Sequence, residues 1–198
     1  MKIILASASP RRKELLRQIG LQFEIQVSDA DETVAEKSPA LLVEKLSERK
    51  ATAVKEMRAG NTPAGQLGEV SRELIIGADT VVCYEDQILG KPKDAEDAYR
   101  MLSLLQGKSH KVYTGVTLLL DDKTYSFHEE TEVELYPMTE EEIREYISVE
   151  NCYDKAGSYA IQGFFARYIK GIQGDYNNVV GLPVARLYQE LKRVWNCN

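Results

Sequence analysis

Apolar positions recur along this chain with two periods, and Gly, Pro, Asn and Asp punctuate the stretches between them. Residues 3–6 form a short continuous apolar run, the mark of a buried strand. Ser9 and Pro10 then suit an N-cap and a first helical position, and Leu15, Leu16 and Ile19 follow at helical spacing up to a stop at Gly20. Residues 23–27 predict a second strand, leading into an acidic turn at 28–32. From Pro39 to about Met57, Leu42, Val43, Leu46 and Ala53 mark an amphipathic helix. Residues 58–71, with Gly60, Pro63, Gly65 and Gly68, read as a flexible surface loop.

Residues 74–84 predict a strand, with a hairpin turn at 85–87 and a short return at Ile88 and Leu89. Asp94 caps a helix carrying Ala98, Met101, Leu102 and Leu105, which ends at Gly107. Residues 112–120 and 124–135 predict a long hairpin. Thr139 and Glu142 have the spacing of a capping box for a helix to about Ser148. Residues 159–161 and 164–169 are expected as strands, residues 171–178 as a tight loop or merely a turn, and Pro183 opens a last helix through Val194. Alternating helices and strands define an α/β chain, and the hairpins make its central sheet mixed.

Composition narrows the function. Against 25 Lys and Arg stand 31 Asp and Glu, a net charge of −6. An acidic surface is the wrong partner for a polyanion, so binding to a nucleic acid polymer is not expected. The 43% hydrophobic and 28% charged residues argue against disorder. Cys83, Cys152 and Cys197 contain no C-x-x-C pair, which suggests neither a disulfide framework nor a thiolate zinc site. The apolar start is too short for a secretory signal, and no run approaches the roughly 20 residues of a membrane span. A cytoplasmic protein with no membrane partner is expected.

Charge is unevenly spread. Lys2, Arg11, Arg12, Lys13 and Arg17 face one acid, Glu14, in the first 17 residues. Cations in a first helical turn oppose the helix dipole, a placement that makes sense if an anion occupies the site. Helix N–H groups, the Ser7 and Ser9 hydroxyls and two guanidinium forks would together hold phosphate oxygens. A solvated basic turn is the competing reading.

Asp79 interrupts the most apolar run of the chain, where an ionised carboxylate must be paired, hydrogen-bonded or metal-bound. It is a candidate metal ligand or general base; a buried turn Asp held by N–H groups is the alternative. Lys91, after the hairpin return, could reach back toward Asp79 or stand as a surface lysine. Lys50 and Glu32 by themselves read as surface chemistry. Gln162, with a donor and an acceptor, suits reading a base edge or holding a loop. The glycine a Walker A loop would need is Leu102, and no G-x-G-x-x-G after a strand, H-E-x-x-H or G-x-S-x-G is present.

Six collinear blocks carry a resemblance from about residue 3 to 190: residues 5–12, 77–82, 90–92, 113–116, 154–163 and 181–183. Together they resemble the Maf family of nucleoside triphosphate pyrophosphatases. The resemblance implies a single Maf-like domain over residues 1–198. Its implied fold is a mixed central sheet with flanking helices and two lobes around a cleft, similar to inosine triphosphate pyrophosphatase-like folds. It implies hydrolysis between the α and β phosphates, giving monophosphate and pyrophosphate, with a role in removing non-canonical nucleotides. By position, Asp79 resembles the proton acceptor; Ser9, Arg11, Arg12, Lys50 and Lys91 resemble the phosphate-handling set, with Ser7 beside them; and Glu32 resembles an acidic active-site residue. Thr80, Gln162 and Arg11 resemble the specificity positions of the branch that prefers dTTP and UTP. Mg²⁺ or Mn²⁺ on Asp79 and Glu32 is the implied cofactor, and a homodimer is a common family state. The 58–71 segment is longer than the family pattern, which puts the Lys50 position in question. The alternatives are a pyrophosphatase for modified or purine triphosphates, and a non-catalytic nucleotide-binding regulator of cell division.

Overall fold

The structure, a computed structural model, describes residues 1–60 and 72–196. In chain order its elements are β1 (Lys2–Ala6), α1 (Pro10–Gln18), β2 (Glu24–Ile25), α2 (Pro39–Gly60), β3 (Glu73–Tyr84), β4 (Gln87–Leu89) and α3 (Ala95–Leu105). There follow β5 (Ser109–Leu120), β6 (Lys123–Leu135), α4 (Glu140–Val149), two 3₁₀ turns, β7 (Ile169–Gln173), α5 (Tyr176–Val180) and α6 (Val184–Asn196). The strands run in the order β2-β1-β3-β5-β6-β7, with β4 on β3. β1 is parallel to β2 and β3, whereas β4 and β7 pair antiparallel with β3 and β6. The sheet is therefore mixed and the class α/β, as the hairpins and alternating elements predict.

Contacts divide the chain into two compact units, Met1–Asp79 with Thr114–His128 and Gly181–Asn198, and Thr80–Tyr113 with Glu129–Val180. β3, β5 and β6 each begin in one unit and end in the other.

The first unit is organised by α2 on the sheet. Leu74, Ile75, Ile76 and Ala78 are all buried, so this part of β3 is covered on both faces, which explains its continuous apolar sequence. Ile4, Ala6, Ala51, Val54, Ile75 and Leu119 form one cluster between helix and strands. Two strand glycines set the approach of the helix. A Cβ on Gly77 would lie 2.1 Å from the Ser47 carbonyl oxygen, and one on Gly115 2.3 Å from the Val43 carbonyl. Only a strand surface without side chains there admits the α2 backbone. The buried Ser47 hydroxyl bonds Thr117 Oγ1 at 2.7 Å, which satisfies both groups inside this contact.

In the second unit, α3 and α4 bury Met101, Leu102, Leu105, Ile143 and Tyr146 with Val82, Val133, Tyr159 and Phe165. Asp94 accepts from the Asp97 N–H, and the Thr139–Glu142 capping box is fully formed. His110 is buried, with Nε2 2.6 Å from the Tyr159 hydroxyl and Nδ1 without a hydrogen-bond partner among the described residues. Burial pushes its pKa down to about 4. The unfolded imidazole protonates near its ordinary 6.5 while the folded one resists, so this stability is complete above that value and is lost as pH falls toward 4. Chemical denaturation should show a loss of about 2 kcal/mol between pH 7 and pH 5 that His110→Phe largely removes. An equal loss in that variant would overturn the assignment.

Three expectations are corrected. Residues 159–161 are irregular, and Gly163–Tyr168 is a 3₁₀ turn rather than a strand. Gly163 at φ 70 turns the chain out of the extended region, and Phe165 and Tyr168 bury at the three-residue spacing of that helix type. Residues 171–178 are not one tight loop: β7 extends to Gln173 because it pairs with β6 as far as Glu132, and α5 follows. Arg58 to Gly60 complete α2 instead of opening a loop. Arg58 there donates a fork to Glu73 at 2.8 and 2.5 Å, and also bonds Gln26. Residues 61–71, the rest of that expected loop, lie outside the described residues.

Candidate active site

β1 delivers Ser7, which is buried, and α1 begins three residues later as its Pro and Ser predict. Ser9 is the cap: its hydroxyl accepts from the Arg12 N–H, and its own N–H donates to Ser7 Oγ at 3.3 Å. The Arg12 side chain folds back onto this turn. Nη1 donates to Ser7 Oγ at 3.2 Å and Nε to the Gly181 carbonyl at 2.9 Å. Burial lowers the Arg12 pKa, the Asp79 and Glu32 carboxylates work against that, and Arg11 adds to it. The first turn of α1 holds no acidic residue. Positive charge therefore concentrates where the helix already presents its positive pole, an arrangement suited to an anion of high charge.

α2 supplies Lys50 and β3 supplies Asp79. The Lys50 ammonium lies 2.5 Å from Asp79 Oδ1 and 2.9 Å from Glu32 Oε1. The Lys50 and Asp79 side chains are 17% and 13% exposed, against 57% for Glu32, so a largely buried pair has a third partner at the surface. The sequence alternatives of a surface lysine and a turn aspartate are both replaced by this pairing. Asp79 sits within β3 and is balanced by the Lys50 ammonium.

Asp79 and Glu32 thus bring two hard oxygen donors to one point. Among the described residues no three His, Cys, Asp or Glu side chains form a metal cage. That donor set suits a cation such as Mg²⁺ or Mn²⁺, which takes one or two carboxylates and fills its other positions with phosphate oxygens and water.

The second unit carries the remaining candidates. Thr80 follows Asp79 on β3 and is partly buried, Lys91 is exposed just after β4, and Gln162 is exposed at the start of the second 3₁₀ turn. The Gly157 N–H donates to the Gly90 carbonyl at 3.0 Å, joining the segment of Lys91 to the one that leads to Gln162. Two participants escaped the sequence reading. The Gly181 carbonyl receives Arg12 from the far end of the chain, and the only signal was its place in a recognisable block. Arg49 bonds the backbone on either side of Glu32, and adjacency to Lys50 was its only hint.

The chain thus combines an α/β fold with a mixed sheet, a basic helix start beside a strand, and a Lys–carboxylate cluster. The chain belongs to the Maf-like protein family, whose profile matches residues 2–194. A protein of Agathobacter rectalis named dTTP/UTP pyrophosphatase is 56% identical, covering 98% of this chain and 97% of its own. One of the same name from Bacillus cytotoxicus is 51% identical over 97% and 95%. Among solved structures, the Staphylococcus aureus Ham1 protein aligns over 68% of this chain and 72% of its own, with TM-score 0.42 and 16% identity.

Proposed function

We propose that this protein hydrolyses nucleoside triphosphates, dTTP and UTP foremost, between the α and β phosphates, releasing a nucleoside monophosphate and pyrophosphate. The observation that carries the proposal is the Lys50 ammonium held between Asp79 and Glu32 in the same unit as the Ser7–Arg12 turn. Identities of 56% and 51% over nearly the full chain to relatives named for that activity support it.

Phosphoanhydride cleavage needs charge neutralisation and an aligned water more than covalent chemistry. Arg11, Arg12, Lys50 and Lys91 supply the positive charge for the triphosphate and the leaving pyrophosphate. Ser7 and Ser9 orient phosphate oxygens from the α1 turn. Asp79 accepts the proton of the attacking water. Mg²⁺ or Mn²⁺ on Asp79 and Glu32 would supply a Lewis acid that polarises the phosphoryl oxygens. Thr80, Gln162 and Arg11 read the base. The protein acts as one domain, in the cytoplasm; among the described residues no helix is long and apolar enough to cross a membrane.

A pyrophosphate-release assay with Mg²⁺ across dTTP, UTP, CTP, GTP and modified nucleotides tests this reading. Highest kcat/KM is expected for dTTP and UTP; no release from any of them would overturn it. Gln162→Ala should shift the dTTP-to-GTP ratio of kcat/KM about tenfold, the worth of one strong hydrogen bond, and leave metal dependence unchanged. An unaltered ratio would remove Gln162 from the base-reading set.

A further inference from the structure

Glu32 stands in a segment, residues 26–38, that contains neither helix nor strand. No sheet ladder fixes it, yet its carboxylate meets Lys50 at 2.9 Å. The hold comes from α2. Arg49 Nη1 donates to the Asp31 carbonyl at 3.1 Å and to the Thr33 carbonyl at 2.8 Å, the two main-chain acceptors that flank Glu32. One turn earlier, Lys45 bonds Glu36 at 2.6 Å, and Glu36 in turn accepts from the Ser38 N–H at 3.0 Å. The Asp31 carboxylate accepts from the Thr33 N–H at 2.8 Å, closing the turn around Glu32.

We propose that Arg49 is a positioning residue for this reaction, clamping the backbone on both sides of Glu32 so that its carboxylate meets the Lys50 ammonium that also holds Asp79. Consecutive residues of one helix then do two jobs: Arg49 fixes the main chain of the loop and Lys50 receives its side chain. A guanidinium nitrogen with two hydrogens spans two neighbouring carbonyls, which a side chain with one donor hydrogen cannot do. Arg49 is exposed, so shortening it opens no cavity in the core. Its contribution is therefore separable from that of the fold.

The inference rests on the pyrophosphatase reading for its catalytic consequence but not for the clamp itself, and two measurements keep them apart. In amide hydrogen exchange, Arg49→Ala should speed exchange over residues 29–35 with the unfolding temperature unchanged. Unchanged exchange there would overturn the clamp. In turnover of dTTP, Arg49→Ala should lower kcat about tenfold, the usual scale for a residue that orients a ligand group. Combined with Glu32→Gln it should add nothing to the loss of Glu32→Gln alone, because Arg49 acts through that carboxylate. Additive losses would mean that Arg49 meets the substrate or acts by charge, and would overturn the positioning role. A wild-type chain that releases no pyrophosphate would refute the catalytic part along with the proposed function, while the exchange result still decides the clamp.

Discussion

Asp79→Asn is expected to slow pyrophosphate release from dTTP by about 10²–10⁴-fold, the range associated with a lost general base, while the protein still folds. Asparagine keeps the shape of the side chain and an oxygen that can accept from the Lys50 ammonium. It loses the ability to take a proton from water and the negative charge that would hold a divalent cation. Lys50 retains Glu32 at 2.9 Å, so no uncompensated cation is left behind. The stability cost should stay near 1 kcal/mol, that of a weakened hydrogen bond. Turnover at saturating Mg²⁺ and thermal unfolding of the same sample check both halves. Near-wild-type turnover would remove Asp79 from the chemistry; a collapsed unfolding temperature would make its role structural.

Gly77→Ala is expected to damage both stability and activity although it touches no substrate. The new Cβ would lie 2.1 Å from the Ser47 carbonyl oxygen and 3.0 Å from the Ala51 Cβ. Both obstacles belong to α2, and a main-chain carbonyl cannot rotate aside. The helix must move off the sheet, at a cost of about 3 kcal/mol or more for overpacking. Lys50 rides on that helix, so its ammonium would leave Asp79, and a misplacement of about 1 Å can cost roughly 10²-fold in rate. Gly171→Ala, whose added methyl meets nothing within 4 Å, should change neither quantity by much. Urea denaturation and dTTP turnover of the two variants decide the matter. Wild-type behaviour of Gly77→Ala would show that the helix is not held there.

The local parts of this protein were legible in its amino-acid order, and the distant pairings were not. Ser9, Pro10 and Gly20 delimit α1, and Thr139 with Glu142 starts α4, because capping is a matter of a few neighbouring residues. Asp79 stood out because a charge within an apolar strand needs a partner. Which partner it has could not be read: Lys50 lies 29 positions earlier and looks like any exposed lysine of an amphipathic helix. The 3₁₀ turn at Gly163–Tyr168 was missed because a short aromatic run fits a buried strand equally well, and the deciding feature is one glycine at positive φ. Arg49 was invisible because it acts on carbonyl groups, which every residue has.

The bond from Arg12 to the Gly181 carbonyl spans 169 positions. During synthesis the strand and helix that open this protein therefore emerge long before the acceptor that completes them. At ordinary elongation rates that interval is about 8–34 s. Throughout it the most basic stretch of the nascent chain waits without the contact that Gly181 supplies, so a ribosome that stalls before Gly181 leaves the α1 turn without the acceptor that anchors Arg12.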